Sequence, residues 1–191
     1  KYGDDIAVGA MTVLTSIMQF AMMPLQGLTQ GAQPIVSYNY GARNAQRVRA
    51  AFRCLLRACV TYSLLLWALV QLFPRMFILM FNSSPELVEY ASWALRIYMA
   101  ATGIFGVQIA CQQTFVALGN AKTSLLLAVW RKIILLVPLI YILPCFFADK
   151  AFAVFLAEPV ADFGAVVMTS VMFYRQFRRS MRALEETTGE T

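Results

Sequence analysis

The fold is decided by residues 24–43, whose sequence is PLQGLTQGAQPIVSYNYGAR. This stretch ends a long apolar run, yet it contains amides, glycines and prolines that a plain lipid-facing helix would exclude. At about 100° per residue, one narrow face is formed by three amides, Gln26, Gln30 and Gln33. Gly27 and Gly31 form a G-xxx-G step beside that face, where a neighbouring helix could approach closely. The pattern predicts a membrane helix with a polar face.

The composition indicates an integral membrane protein. Of the 191 residues, 60% are hydrophobic and only 14% are charged, and the mean hydropathy is +0.63. These values lie outside the range of soluble globular domains. A helical span needs about 20 apolar residues, whereas barrel strands would alternate over about 10 residues, and the sequence has no such alternation. The predicted fold class is therefore all-α, a polytopic transmembrane helical bundle.

Five apolar segments follow one another within residues 1–182, and each is long enough to cross a bilayer. The predicted spans are approximately residues 6–40, 58–81, 86–118, 123–147 and 151–174. Residues 183–191 are acidic and rich in Thr, and they are expected to form a disordered cytoplasmic tail. The chain is thus predicted to have about five spans followed by a polar end.

The net charge of +6 results from basic residues that lie between the apolar spans. This distribution indicates membrane topology and a lipid bilayer as partner, and not a nucleic acid. The connectors after spans one and three and the segment after span five contain most of the cations, so the C-terminus is predicted to be cytoplasmic. The first residue then faces outward, and without a signal peptide it requires a preceding span. The sequence is therefore expected to be part of a longer protein.

Enzyme and metal motifs are absent from the sequence. It contains no histidine, and its four cysteines form no C-xx-C pair, so neither a metal site nor a disulfide framework is predicted. It also lacks a phosphate-binding G-xxxx-GK-[ST] loop, an H-E-xx-H motif and a G-x-S-x-G elbow. We expect no enzymatic activity and no cofactor.

Two acidic residues in the fifth span, Glu158 and Asp162, need an explanation because carboxylates are costly inside a membrane. They are four residues apart on one helical face, where low dielectric disfavours ionisation of both, so the pair could hold a proton or exchange it for a cation. Alternatively, each acid forms an ion pair: Arg131 could reach Asp162, and Arg96 could reach Glu158. The two interpretations are compatible.

The third predicted helix has a face of aromatic and amide side chains: Tyr98, Phe105, Gln108, Gln112 and Phe115. Such a face suits an amphipathic or cationic organic solute through cation–π contacts and adaptable hydrogen bonds. The alternative is ordinary interhelical packing, in which amides hydrogen-bond to neighbouring helices. For the first helix, the length of the polar face favours a cavity lining, with the same packing alternative.

These motifs resemble those of multidrug and toxic compound extrusion (MATE) transporters, particularly the MepA-like branch. The matching regions, in chain order, are residues 24–43, residues 117–122 with Arg131 and Pro138, and residues 158–162. The first region is similar to the second helix of the C-terminal lobe in that family. By this resemblance, the chain is the C-terminal part of a twelve-helix transporter, covering about its last five helices. The N-terminal lobe and the first helix of the C-terminal lobe would be missing.

The resemblance implies a secondary active antiporter of a prokaryotic cytoplasmic (inner) membrane. Similar family members export xenobiotics, mainly cationic amphipathic drugs, in exchange for H⁺ or Na⁺, by rocking two lobes about a central cavity. It also implies roles for particular residues. The expected cavity and solute contacts are Gln26, Gln30, Gln33, Gln108 and Gln112, and the expected coupling or structural charges are Glu158, Asp162, Arg96 and Arg131. The chain alone is expected to be inactive without its missing lobe.

Two alternatives remain open. One is a flippase of the same superfamily for lipid-linked oligosaccharides, which would need more cationic side chains in the cavity for a pyrophosphate. The other is a membrane partner subunit that does not itself transport. One departure from the family concerns its tenth helix, in which some members have a functional acid. Here residues 86–118 have acids only at the outer end and glutamines further in.

Overall fold

The computed structural model describes residues 5–81, 84–147 and 150–189, and the regular structure in these ranges is all helical. The elements in chain order are α1 (Asp5–Gly41), α2 (Ala45–Leu72), α3 (Pro74–Leu79), α4 (Pro85–Tyr98), α5 (Thr102–Ala117), α6 (Ala121–Val129), a π-helix (Trp130–Leu136), α7 (Val137–Phe146) and α8 (Lys150–Gly189). The predicted all-α class is confirmed.

Four helical segments are long and apolar enough to cross a membrane: α1, α2, α8 and the continuous stretch Lys122–Phe146. The fourth of these comprises α6, the π-helix and α7. Helices α4 and α5 qualify together as a fifth span, although they are bent by 50° relative to each other. The described part of the chain therefore agrees with the prediction of about five spans.

Helix α2 begins earlier than the span predicted from residue 58. Its N-terminus is capped by Asn44, whose side-chain oxygen accepts a hydrogen bond from the backbone N–H of Arg47 at 3.0 Å. The basic connector therefore forms the first turns of α2. The helix ends at Phe73, and Pro74 begins α3, as expected for a residue that suits the first helical position. The predicted span 58–81 is thus divided between two helices.

The stretch predicted as one helix over residues 86–118 is divided at residues 99–101. The second half, α5, lies against the backbone of α2. A Cβ added to Gly106 would be 2.4 Å from the carbonyl oxygen of Cys59, and the Ser63 hydroxyl donates to the carbonyl of Gly103 at 2.9 Å. This close approach holds α5 along α2, on an axis different from that of α4.

Helix α8 continues to Gly189, which differs from the disordered tail expected over residues 183–191. Leu184 packs against a cluster of buried residues that includes Val48, and Arg49 Nη1 lies 2.7 Å from Glu185 Oε1. Leu, Ala and Glu are also strong helix formers. Helix formation and contacts with α2 therefore order residues that composition alone assigns to a tail. Residues 190–191 lie outside the described ranges.

Helix α5 lies centrally and contacts α1, α2, α6 and α8. The largest group of buried side chains joins α1 through α5 to α8, and its fully buried members include Leu14, Leu25, Val70, Ile78 and Leu95. A smaller group joins α5 and α6 to α8 through Phe115, Leu127 and Phe173. These contacts align the polar face of α5 with α8 and the π-helix, where the charged residues lie.

Candidate functional site

A cluster of charged side chains joins the π-helix to α8. Arg131 Nε donates to Asp162 Oδ1 at 2.6 Å, and Arg131 Nη2 donates to Glu158 Oε1 at 3.2 Å. Asp162 is only 2% exposed and Glu158 only 8%. A single guanidinium therefore neutralises two buried carboxylates, which meets the requirement that buried charges be paired. The predicted pair of Arg131 with Asp162 is present, and Glu158 shares the same arginine.

Lys132 is a further member of this cluster that sequence reasoning missed. Its Nζ lies 3.6 Å from Glu158 Oε1. Adjacent residues on an α-helix project about 100° apart, but here both Arg131 and Lys132 contact one carboxylate from a π-helix with i→i+5 hydrogen bonds. The available signal was the Arg-Lys doublet inside an apolar span. With all four groups ionised, the cluster has two positive and two negative charges.

Arg96 does not belong to this cluster, which corrects the prediction that it pairs with Glu158. The buried face of α4 is formed by Ala91, Ala94, Leu95 and Tyr98. Arg96 lies on the other side of α4 and is exposed. It lines a cavity of about 490 Å³ together with Arg75 and Glu89, and its carbonyl accepts a hydrogen bond from Gln71 Nε2 at 2.9 Å. Within the described ranges its side chain forms no ion pair.

An aromatic wall borders the charged cluster on the side of α5. The guanidinium carbon of Arg131 lies 4.7 Å from the centroid of the Phe105 ring, a cation–π geometry. Tyr98 is buried at 6% exposure, and its hydroxyl is within electrostatic range of Arg131 and both acids. The aromatic residues predicted for solute contact therefore lie beside charged groups.

The two glutamines predicted on this face have different surroundings. Gln108 is 2% exposed, and its buried Oε1 accepts no hydrogen bond from the described residues. Gln112 is half-buried, and its Nε2 donates to the backbone carbonyl of Ser124 at 3.2 Å. Gln112 thus connects α5 to α6 as the packing alternative expects. Contact of either glutamine with a solute stays a prediction.

The amide face of α1 points away from the helices that α1 packs against. Gln26 and Gln30 are exposed and Gln33 is half-buried, whereas Thr29 on the opposite side is only 1% exposed. A Cβ added to Gly31, or to the preceding glycine of the G-xxx-G step, would meet no atom within 4 Å. The step is therefore not a contact between described helices. The face is available to a cavity or to another part of a transporter.

Comparison with known proteins adds a family match. The family model described as MatE matches residues 1–142. A curated relative named FAD transporter, from Shewanella oneidensis, is 23% identical over 185 residues, which are 97% of this chain and 39% of that protein. The multidrug export protein MepA of Staphylococcus haemolyticus is 19% identical over 167 residues, 86% of this chain and 36% of that protein. The chain thus spans less than two fifths of either relative.

Solved structures show the same similarity. The MATE multidrug transporter DinF-BH, solved in complex with a rhodamine dye, matches with a TM-score of 0.78 and 35% identity, over 91% of this chain and 39% of that chain. A MATE structure in the bent conformation matches with a TM-score of 0.85 at 18% identity, over 98% of this chain and 40% of that chain. At that lower identity the likeness concerns the fold alone.

Proposed function

Because the chain belongs to the MATE family, we propose that it forms part of a secondary active transporter exporting cationic, amphipathic organic compounds in exchange for H⁺ or Na⁺. The observation that best supports this proposal is the buried cluster of Arg131, Glu158 and Asp162 inside membrane helices. Ionisable residues within a membrane are costly, and they mark ion and substrate pathways. The adjacent Phe105 ring provides an aromatic surface of the kind that organic cations contact.

The proposal includes a partner lobe and an orientation. We assign this chain to the C-terminal lobe of a twelve-helix transporter in the cytoplasmic membrane, with its C-terminus in the cytoplasm. The exposed amides of α1, Gln26 and Gln30, would form one wall of a cavity whose other wall belongs to the N-terminal lobe. Without that lobe the cavity is open, so this chain alone would not transport.

The charges of the cluster supply a mechanism for exchange. With both acids ionised the four groups have no net charge, and protonation of Asp162 or Glu158 gives the cluster one positive charge. Two unit positive charges about 8 Å apart repel by about 2 kcal/mol at an effective dielectric constant of about 20. A proton on the cluster and an organic cation beside Phe105 would therefore disfavour each other. That mutual exclusion is what an antiporter needs.

The decisive experiment replaces one acid in the full-length protein. Asp162→Asn fixes one more positive charge in the cluster, as protonation would, so we expect weaker binding of a cationic rhodamine dye at high pH and loss of its pH dependence. Binding and pH-gradient-driven transport would be measured in proteoliposomes, with Glu186→Gln on the exposed end of α8 as the control. Unchanged pH dependence and exchange in the Asp162 variant would remove the coupling role.

The flippase alternative makes a different prediction for anionic substrates. A site for a pyrophosphate needs unpaired cations, but Arg131 and Lys132 both lie beside carboxylates. The relative named FAD transporter makes FAD a suitable anionic probe. We expect the cationic rhodamine dye and not FAD to be transported. Transport of FAD alone would favour the anionic alternative, and transport of neither would favour a partner subunit.

A further inference from the structure

A groove of about 650 Å³ lies along the outer surface of α2, away from the charged cluster. One end of the groove is basic and is lined by Arg53 and Arg57. The other end is lined by Ala58, Tyr62 and Leu65 and is mainly apolar. A basic end followed by an apolar channel has the charge pattern of an anionic lipid, in which a phosphate is joined to hydrocarbon chains.

The two arginines of this groove are exposed and have no acidic partner in the described part of the chain. Their neighbour Arg49 is the one that pairs with Glu185, at 2.7 Å. Arg53 Nε donates only to the backbone carbonyl of Arg49, at 3.3 Å. Arg53 and Arg57 are four residues apart on one helix face, where like charges destabilise a helix. An anion between them would offset that repulsion.

The position of Arg57 along α2 matches the level of lipid headgroups. Residues 58–72 contain no charged side chain and extend for about 22 Å at 1.5 Å per residue. They account for most of a hydrocarbon layer of about 30 Å. Arg57 therefore lies at one boundary of that layer, and the apolar end of the groove lies within it. Long arginine side chains reach headgroups from such positions.

We propose that this groove binds one anionic phospholipid from the surrounding leaflet. Its phosphate lies between Arg53 and Arg57, which can each donate two parallel hydrogen bonds to phosphate oxygens. One acyl chain follows α2 past Ala58, Tyr62 and Leu65. Basic pockets at a membrane boundary recognise acidic headgroups in this way. The site is separate from the proposed transport pathway and does not depend on the identity of the exported compound.

The test measures lipid retention by the full-length protein purified in detergent. Native mass spectrometry would count bound phosphatidylglycerol during a titration, with zwitterionic phosphatidylcholine as the comparison lipid. The variant is R53Q/R57Q, and the matched control is R175Q/R179Q, which removes the same charge from two exposed arginines with the same spacing on α8. Melting temperatures of all three proteins would verify that each is folded.

We expect R53Q/R57Q to weaken phosphatidylglycerol binding by about 30-fold, about fivefold for each arginine. The control pair should stay within about threefold of the wild type, and phosphatidylcholine should bind more weakly throughout. Equal weakening in both double variants would mean non-specific attraction and would overturn the proposal. Displacement of the lipid by millimolar inorganic phosphate, or by self-association of the protein, would also overturn it, because the groove would then have another occupant.

Discussion

Arg131 is the residue on which both acids of α8 depend. Its side chain is 15% exposed and contacts Glu158 and Asp162 together. Breaking a buried ion pair by removing one partner leaves an uncompensated charge, which is more costly than removing the whole pair. Stability and transport can therefore be separated at this site by comparing single and combined substitutions.

We predict that Arg131→Met lowers the free energy of unfolding by about 3 to 5 kcal/mol, because two carboxylates then lose their shared partner. The triple variant R131M/E158Q/D162N should regain most of this loss while remaining unable to couple transport to protons. Both would be measured by thermal unfolding in detergent and by exchange of the rhodamine dye. If the triple variant were as unstable as the single one, the arginine would act through packing and not through charge.

Gln30 and Gln112 test whether amides of the two faces have different roles. Gln30→Leu should change which organic cations are exported without lowering the amount of folded protein, because Gln30 is exposed. Gln112→Leu removes the hydrogen bond to the Ser124 carbonyl and should lower stability by about 1 kcal/mol. Resistance profiles against several drugs, together with protein levels, would distinguish them. Equal loss of protein in both variants would assign Gln30 to packing.

The charged residues were predictable from the sequence because a charge inside a membrane needs a reason, which selected Glu158, Asp162 and Arg131. The partner of Glu158 was not predictable. Assigning Arg96 to it assumed that residues 86–118 form one helix whose polar side chains turn inward. The contact of Lys132 depends on a π-helix, for which no residue pattern in the sequence is a reliable signal.

At the scale of helices, the closest contact lies between α2 and α5. Gly106 lies so near to α2 that an added Cβ would be 2.4 Å from the Cys59 carbonyl oxygen and 2.5 Å from Ser63 Oγ. The G-xxx-G step of α1, by contrast, has open space at Gly31. Small residues in a sequence indicate that a helix can be approached closely, but which glycine is approached depends on tertiary packing.

This difference predicts opposite outcomes for two identical substitutions. Gly106→Ala forces α2 and α5 apart and should cost about 1 to 3 kcal/mol of stability, as overpacked sites do. Gly31→Ala meets no neighbour and should be neutral or stabilising by about 0.5 to 1 kcal/mol through better helix propensity. Unfolding in detergent would compare the two. A large loss from Gly31→Ala would mean that α1 is covered by another part of the protein at that step.

For the whole molecule, the number of spans and the positive-inside rule together predict an orientation that two native cysteines can test. Cys54 and Cys145 are both exposed, near the opposite ends of α2 and α7 respectively. With a cytoplasmic C-terminus, a membrane-impermeant maleimide should label Cys145 in intact cells and should label Cys54 only after permeabilisation. Cys54→Ser and Cys145→Ser are the controls. The reverse order of labelling would invert the topology.

The π-helix of the fourth span makes chain length, and not only residue identity, a determinant of this site. Its i→i+5 hydrogen bonds enclose one residue more than those of an α-helix. Deleting a single exposed residue such as Ile133 would restore α-helical bonds and rotate α7 by about 100° relative to Arg131. The guanidinium would stay beside α8 while the packed face of α7 turned towards lipid. The fourth span therefore has a helical phase that no substitution can reset.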